Sequence, residues 1–309
     1  MILKAYVVKT KNFEIVEEKS LNATKNTMFL LASCSKLITG ILVAKLVELS
    51  ELDYNMDINK YLTNWKCPKR GITLRKLLTH TSGATGHGFP GYSTNKKLST
   101  LPTNIDILDG YGNTDMVEFK YNKWSYSGGG FQIIQQVLED HFGKPFWFLL
   151  DKYICKPLKL KNTTGKMFSN TKLVSMGYVA KNLHNYPETT SAGIWSTAED
   201  LLIIAKDLSN AFNDDNGKLL SKKSIKSMTT IQKNTEQRGL DKHHGWGLGM
   251  FIWNSSGGKV LAHEGWDYKI RMRFSCNLKS GDFNIYLFHV ASEKTHGDVD
   301  KLYKLLKDS

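Results

Sequence analysis

Residues 29–49, FLLASCSKLITGILVAKLVEL, combine a serine, a lysine three positions later and a long apolar segment. From residue 33 to residue 49 the apolar positions cover most of the circumference of a helix, so we predict a buried helix here. Ser33 begins this helix. Lys36 projects from the same face one turn later, because residues three apart are neighbours on a helix. The lysine ammonium can therefore reach the serine hydroxyl.

The Ser-x-x-Lys spacing is a weak signal by itself, because it also occurs at Ser93, Ser169 and Ser256. Those three serines lie in polar segments that are typical of turns and loops. Only Ser33 begins a long buried helix, whose first turn offers free N–H groups and positive partial charge to a developing oxyanion. A serine at this place is also a common helix N-cap, and the motif alone leaves both interpretations open.

The net charge of +13, from 42 lysines and arginines against 29 acidic residues, raises nucleic acid as a partner. Nearly all of this positive charge is lysine, and it is spread along the whole chain. Proteins that read bases or bind phosphates favour the bidentate fork of arginine. We therefore predict a solvated lysine-rich surface and no nucleic-acid partner.

Cysteine spacing gives no indication of a metal site or of a disulfide framework. The four cysteines form no CxxC pair and have no histidines at zinc-ligand spacing, and we predict reduced thiols, no metal and no cofactor. These cysteines are Cys34, Cys67, Cys155 and Cys276.

The longest apolar segment, residues 37–47, is interrupted by Thr39, Gly40 and Lys45 and is too short to span a bilayer. The first thirteen residues alternate charged and apolar side chains and contain no uninterrupted apolar core. This pattern predicts no signal peptide and a cytoplasmic location, or an exported protein if a leader has been removed.

The order of predicted elements indicates an α+β fold. Two short strands are expected within residues 5–16, strands recur at 245–253, 259–263, 270–276 and 283–290, and short helices fill the middle of the chain. This order predicts an antiparallel β-sheet flanked by helices, with an inserted helical subdomain and a cleft between the two parts. We predict one domain over residues 1–309, with the sheet-containing part at about 1–50 and 210–309 and the helical subdomain at about 51–209.

Four motifs follow the segment of the nucleophile candidate, and the five together stand in an order that is typical of a known superfamily. With these motifs the chain resembles the serine β-lactamases and DD-peptidases, in the class C-like branch that includes carboxypeptidases, D-amino acid peptidases and esterases. The resemblance covers about residues 29–290 and implies the β-lactamase/transpeptidase-like fold. The motifs are FLLASCSK at 29–36, ITLRKLLTHTSG at 72–83, SYSGGG at 125–130, AGIWST at 192–197 and HEG at 263–265.

The resemblance implies that Ser33 is the acylated nucleophile and that Tyr126 takes or relays its proton. An ordinary tyrosine pKa near 10 would leave Tyr126 protonated, and lowering it by about three pH units needs about 4 kcal/mol. The charge of Lys36 could supply that energy, or a neutral Lys36 could itself be the base. The sequence leaves both alternatives open.

On the substrate side, the resemblance implies an oxyanion hole formed by the N–H groups of Ser33 and Trp266. His263 and Gly265 are expected at the cleft end of a strand. A glycine there lacks Cβ, so a substrate backbone could lie against the strand edge.

Two departures from the superfamily pattern affect the expected site. Gly128 stands where an asparagine is common, which removes an amide that would contact Lys36 and a substrate carbonyl. Glu264 stands where a threonine would donate a hydrogen bond to a substrate carboxylate. Because an ionised glutamate can only accept, Glu264 is expected to disfavour anionic substrates, with a protonated His263 able to offset part of the repulsion.

These residues predict a serine hydrolase that forms an acyl-enzyme with an ester, amide or β-lactam carbonyl of a small-molecule or peptide substrate. An esterase or amidase and a DD-carboxypeptidase-like enzyme are close competitors, and an efficient β-lactamase is less favoured. The alternative from another class is a catalytically degenerate, penicillin-binding-like protein with a binding or regulatory role. The sequence makes no prediction of oligomeric state.

Overall fold

The computed structural model describes residues 1–86, 91–112, 115–178, 183–235, 244–255, 257–291 and 299–307. Within them the strands, β1 to β11, are Ile2–Lys11, Glu14–Leu21, Phe29–Leu30, Tyr92–Ser93, His184–Asn185, Trp195–Ser196, His244–Trp246, Phe251–Ser255, Gly258–Trp266, Ile270–Asn277 and Asp282–Val290. The helices, α1 to α10, are Ser35–Glu48, Leu74–Leu78, Asn104–Leu108, Gly128–Phe142, Phe146–Leu150, Lys156–Leu158, Asn170–Ser175, Ala198–Asp214, Lys222–Met228 and Val299–Lys307.

One sheet of seven strands, in the order β2-β1-β11-β10-β9-β8-β7, joins the two ends of the chain. Neighbouring strands pair antiparallel, and the N-terminal hairpin meets the C-terminal strands where β1 pairs with β11. Asn12 and Phe13 turn the hairpin with positive φ angles. The predicted α+β fold with an antiparallel sheet is confirmed.

Helix α1 is the buried helix that the sequence predicts after Ser33. Its side chains are buried along almost the whole length, as expected from apolar residues on every side. The helix contacts β9, α9 and a π-helical turn at Thr189–Gly193. At Gly40 the approach is so close that a Cβ would overlap the carbonyl oxygen of Leu248. The sheet and the helical layer therefore hold α1 from both sides.

The helices lie on both faces of the main sheet. On one face, α1 and α8 belong to the largest apolar cluster, and α8 contacts β1 and β11. On the other face, α10 places Val299, Leu302 and Leu306 in a smaller cluster against β1 and β11. None of the helices among the described residues is long and apolar enough to cross a membrane. The division into a sheet-containing part and a helical subdomain stays a prediction.

Candidate active site

Ser33 lies in a 3₁₀ turn, Ala32–Cys34, that leads directly into α1. The caps of this turn and of α1 are Leu31 and Cys34, and in this described segment neither makes a side-chain capping bond. Ser33 is thus not the N-cap that the isolated motif allowed. Ala32, just before it, has φ +45°, a left-handed conformation that costs a non-glycine residue about 1–3 kcal/mol. The surrounding packing holds this strained turn and presents the serine to the cleft.

The Lys36 amine lies beside the Ser33 hydroxyl. Its Nζ is 3.2 Å from Ser33 Oγ and donates to the carbonyl oxygen of Ser191 at 2.9 Å. The rings of Tyr126 and Phe131 flank it, with centroids 5.0 and 5.5 Å from Nζ. The side chain is fully buried, and this desolvation lowers the pKa of Lys36 to about 7. A large fraction of Lys36 is therefore neutral at physiological pH.

Tyr126 shares a side-chain hydrogen bond with Ser33, and this bond acts to lower the pKa of the phenol. Desolvation is the larger effect and raises the pKa of Tyr126 above the ordinary tyrosine value. The phenol is therefore protonated at neutral pH. Of the two alternatives that the sequence leaves open, a neutral Lys36 as the base agrees with the buried amine and with this protonated phenol.

The loop that carries Tyr126 is held by His80. The N–H of Ser127 donates to His80 Nδ1, and the N–H of Ser125 donates to the His80 carbonyl, both at 3.0 Å. The His80 ring also lies against Tyr126, with ring centroids 4.4 Å apart. Burial lowers the pKa of His80, so a neutral imidazole accepts the Ser127 bond. His80 thus fixes the chain on both sides of the phenol.

Strand β9 brings His263 and Gly265 against the turn that carries Ser33. Cys34 Sγ contacts the carbonyl oxygen of His263 at 3.1 Å. A Cβ on Gly265 would overlap the carbonyl oxygen of Leu31. The missing Cβ therefore makes room for the protein's own backbone, and the expectation that it makes room for a substrate is corrected.

His263 is neutral at physiological pH. Desolvation and the nearby Lys36 lower its pKa to about 3. Nδ1 lies 2.7 Å from the Glu264 carbonyl oxygen, and since a carbonyl can only accept, Nδ1 carries the proton. A protonated His263 that offsets the charge of Glu264 is thus excluded by its burial.

Glu264 and Trp266 point to the face of β9 opposite His263, as alternation along a strand requires. The Glu264 carboxylate accepts from Arg273 Nε at 2.7 Å, and Arg273 also pairs with Asp300 at 2.9 Å. Glu264 lines the cleft, but its carboxylate is paired with the Arg273 guanidinium, which the sequence did not indicate as part of the site. Trp266 is 63% exposed, and the Arg271 guanidinium stacks 4.1 Å from its ring centroid.

Gly128, in place of the common asparagine, begins α4 and contributes only its backbone. Its carbonyl accepts a hydrogen bond from Ser191 Oγ at 2.9 Å, and the Ser191 carbonyl in turn receives the Lys36 amine. A backbone carbonyl thus supplies a hydrogen-bond acceptor to Lys36 where the asparagine amide is missing. Ser191 was not predicted as a site residue. Its position directly before the motif at 192–197 is the one feature of the sequence that could have indicated it.

A cavity of about 740 Å³ opens at these residues. Pairing of β8 with β9 ends at Phe251 and Ala262, so residues 263–266 border the cleft along their outer edge while β10 pairs with the other edge. Most of the aromatic residues of the lining belong to none of the sequence motifs, which is why no motif indicated them. The lining residues are Ser33, Tyr126, Trp246, Phe251, Trp253, Ala262, His263, Glu264, Trp266, Arg273, Ser275, Asn284 and Tyr286.

The fold is that of the class of β-lactamase-like and penicillin-binding-like proteins. The Beta-lactamase family model matches residues 2–277, and the chain belongs to that family. The resemblance noted from the motifs is therefore confirmed.

One curated relative and two solved structures are similar to this chain. The teichoic acid D-alanine hydrolase of Staphylococcus aureus is 28% identical over 190 residues, which cover 55% of this chain and 46% of that protein. The chain thus spans about half the length of the curated relatives that it matches. The penicillin binding protein from Bacillus halodurans has a TM-score of 0.73 at 18% identity, with 98% of this chain and 95% of that one covered.

A D-stereospecific amidohydrolase from Streptomyces sp. has a TM-score of 0.64 at 19% identity, over 94% of this chain and 90% of that one. At these identities the solved structures show the shared fold. Relatives named as hydrolases agree with the predicted hydrolase class.

Proposed function

We propose that the protein is a serine hydrolase in which Ser33 attacks an ester or amide carbonyl and forms an acyl-enzyme. The observation that carries this proposal is the contact of Lys36 Nζ with Ser33 Oγ at 3.2 Å, made by an amine whose pKa is lowered to about 7. A general base works best when its pKa lies near the operating pH. Lys36 is therefore the base, and Tyr126 acts as a neutral phenol.

The proton follows a short path in this mechanism. Lys36 takes the Ser33 proton as Oγ bonds to the carbonyl carbon, and the N–H groups of Ser33 and Trp266 stabilise the resulting oxyanion. When the intermediate collapses, the bond to the leaving group breaks, and Tyr126 donates its proton to the leaving oxygen or nitrogen while Lys36 reprotonates Tyr126. Water then attacks the acyl-enzyme, Lys36 accepts its proton, and that proton returns to Ser33 as the acid departs.

The charges of the cleft support small esters or amides as substrates in preference to carboxylate-bearing ones. Lys36 is partly neutral, His263 is neutral, and Arg273 is already paired with two carboxylates. A substrate carboxylate would therefore meet Glu264 without an uncommitted cation among these residues. The names of the Staphylococcus aureus and Streptomyces relatives add D-alanyl esters and D-configured amides to the substrates worth testing.

Covalent labelling tests the proposal directly. A fluorophosphonate probe should add to wild type at the peptide that contains Ser33, and Ser33→Ala should lose both the label and ester hydrolysis while remaining folded. Ser93→Ala is the matched control, because Ser93 has the same Ser-x-x-Lys spacing in an exposed strand end. Equal labelling of Ser33→Ala would reject the nucleophile. Labelling at Ser33 without turnover of any ester or amide would favour a binding protein.

A further inference from the structure

The cavity extends well beyond the atoms that the proposed chemistry needs. At one end lie Ser33, Tyr126 and His263, which we call the reaction end. Trp246 joins this end to the rest. Its ring centroid is 5.7 Å from Tyr126 and 5.5 Å from His263, and 6.2 Å from Phe251 on β8. The cleft therefore continues from the nucleophile towards the sheet.

The second part of the cavity lies on the sheet face that carries Glu264, and its lining follows the strand register. Residues paired across antiparallel strands point to the same face. One row runs across four strands through Phe251, Ala262, Ser275 and Asn284. The next row runs through Glu264, Arg273 and Tyr286. Together with Trp253, these seven residues form what we call the sheet-face arm.

The floor of the sheet-face arm is low and its sides are aromatic. Ala262 and Ser275 carry small side chains at the centre of the first row, and Asn284 Nδ2 donates to Ser275 Oγ at 3.3 Å. Phe251 and Trp253 stand on one side, with ring centroids 6.0 Å apart. Tyr286 stands on the other side, braced by Tyr303 of α10 at 5.4 Å. The arm is thus a groove with flat aromatic walls and polar groups along it.

The polar groups of the arm include a negatively charged acceptor, Glu264, and a positively charged donor, Arg273. Glu264 can only accept and Arg273 can only donate, and their ion pair lies at the cavity surface. An anionic ligand would be repelled by Glu264, and a cationic ligand by Arg273. An alkyl chain would cover the pair and the Asn284 amide without offering them a partner, which costs desolvation energy. A hydroxyl both donates and accepts, so a group that carries several hydroxyls can bond to Glu264, Arg273 and the Asn284 amide together.

We propose that the sheet-face arm binds a neutral polyhydroxylated group, a sugar or a polyol, that forms part of the substrate away from the scissile carbonyl. Its C–H faces lie on Trp253, Phe251 and Tyr286, and its hydroxyls bond to Glu264, Arg273 and Asn284. This inference rests on the proposed hydrolase activity in one respect, because it assigns the arm to that enzyme's own substrate. Binding energy from such a remote group raises turnover when it positions the carbonyl at Ser33.

A set of acetate esters that differ only in the alcohol tests the ligand class. The set contains methyl acetate, 6-O-acetylglucose, hexyl acetate, acetylcholine and acetylated glycerol phosphate. The glucose ester should exceed methyl acetate in kcat/KM by at least about tenfold, the order expected of a few well-placed hydrogen bonds. The hexyl, choline and phosphate esters should stay below the glucose ester. If the hexyl, choline or phosphate ester had a higher kcat/KM than the glucose ester, the arm would bind an alkyl, cationic or anionic group instead, and the proposal would be overturned.

Two variants test the place of binding. Trp253→Ser removes a wall of the arm, and Ser275→Leu fills its floor. Each should reduce the kcat/KM ratio of glucose ester to methyl acetate by at least about tenfold. Trp147→Ser is the matched control, since Trp147 is a partly exposed tryptophan on α5 outside the cavity, and it should keep the wild-type ratio. An unchanged ratio in both arm variants would overturn the assignment.

A binding measurement separates this inference from the proposed function. Methyl glucoside or maltotriose is titrated into Ser33→Ala, and binding is followed by tryptophan fluorescence and by saturation-transfer NMR. Saturable binding that is lost in Ser33→Ala/Trp253→Ser and kept in Ser33→Ala/Trp147→Ser supports the arm even if no ester is hydrolysed. Absence of saturable binding overturns the arm, even if small esters are turned over.

Discussion

Replacing Lys36 with methionine should increase the stability of the protein while abolishing most of its activity. Burial lowers the pKa of Lys36 from 10.5 to about 7, so at neutral pH the folded state holds a partly neutral amine that the unfolded chain would protonate. The separation of these two pKa values corresponds to about 5 kcal/mol of unfavourable free energy. Methionine has a similar length and no charge, so it removes that cost.

The loss of the amine has its own cost, because the Ser191 carbonyl loses the bond that Lys36 donates. An unsatisfied buried acceptor costs about 1–3 kcal/mol, which leaves a net gain of about 2–4 kcal/mol at pH 7. The sign follows from linkage. The folded pKa is the lower one, so the penalty is complete below pH 7 and disappears as pH rises towards 10.5. The gain in Lys36→Met should therefore shrink by about 1.4 kcal/mol per pH unit above pH 7.

Urea unfolding of both proteins at pH 6, 7, 8 and 9 measures this difference. In the same samples kcat/KM for a p-nitrophenyl ester should be at least about 10²-fold lower in Lys36→Met than in wild type. In the wild-type plot of kcat/KM against pH, the decrease towards acid should have its midpoint near pH 7, the pKa of Lys36. Lys45→Met removes another lysine from α1, away from Ser33, and should keep its kcat/KM. A stability difference that is negative at pH 7, or that does not change with pH, would refute the neutral-lysine argument.

Three further outcomes are expected. Tyr126→Phe should lower kcat/KM by at least about tenfold, and combining it with Lys36→Met should lower it by less than the product of the two effects, since both move the same proton; additive losses would contradict the shared path. Gly265→Ala should destabilise the protein and reduce kcat, because its Cβ overlaps the Leu31 carbonyl, whereas Gly86→Ala has open space and should unfold like wild type in a thermal melt. Glu264→Thr should raise kcat/KM for nitrocefin relative to p-nitrophenyl butyrate by about tenfold, because Arg273 is then shared with Asp300 alone; an unchanged ratio would remove Glu264 from the specificity argument.

Periodicity and motif order predicted much of the fold. The buried helix expected from residue 33 is a short 3₁₀ turn followed by α1. It could be predicted because apolar residues on every side of a helix require burial on every side. The strand expected at 245–253 is in fact two strands, β7 at His244–Trp246 and β8 at Phe251–Ser255. The strand expected at 259–263 is β9, which continues to Trp266. Side chains continue to alternate between the two faces of β9 beyond His263. The sequence did not indicate this extension, because Gly265 has no side chain to contribute to a hydropathy pattern.

The electrostatics of the site were less accessible to the sequence. The sequence left open whether a charged Lys36 lowers the pKa of Tyr126 or a neutral Lys36 is itself the base, and in the structure burial lowers the pKa of Lys36 and raises that of Tyr126. Burial decides the outcome, and burial is a property of the assembled core that no local pattern of residues contains. The same limit applies to Glu264, whose partner Arg273 lies on the next strand and becomes a neighbour only through the register of β9 and β10.

The pairing of β1 with β11 has a consequence for how the chain reaches its native state. Residues 2–9 find their partners at 284–290, so the sheet is complete only when both ends of this sequence are available. Such distant contacts carry a large loop-closure entropy and slow folding. Helix α1 is covered in part by β9, which comes much later in the chain, so it stays partly uncovered until the C-terminal strands are made. We expect a slow folding phase with an aggregation-prone intermediate, in which a ribosome-bound nascent chain depends on chaperones to shield that helix.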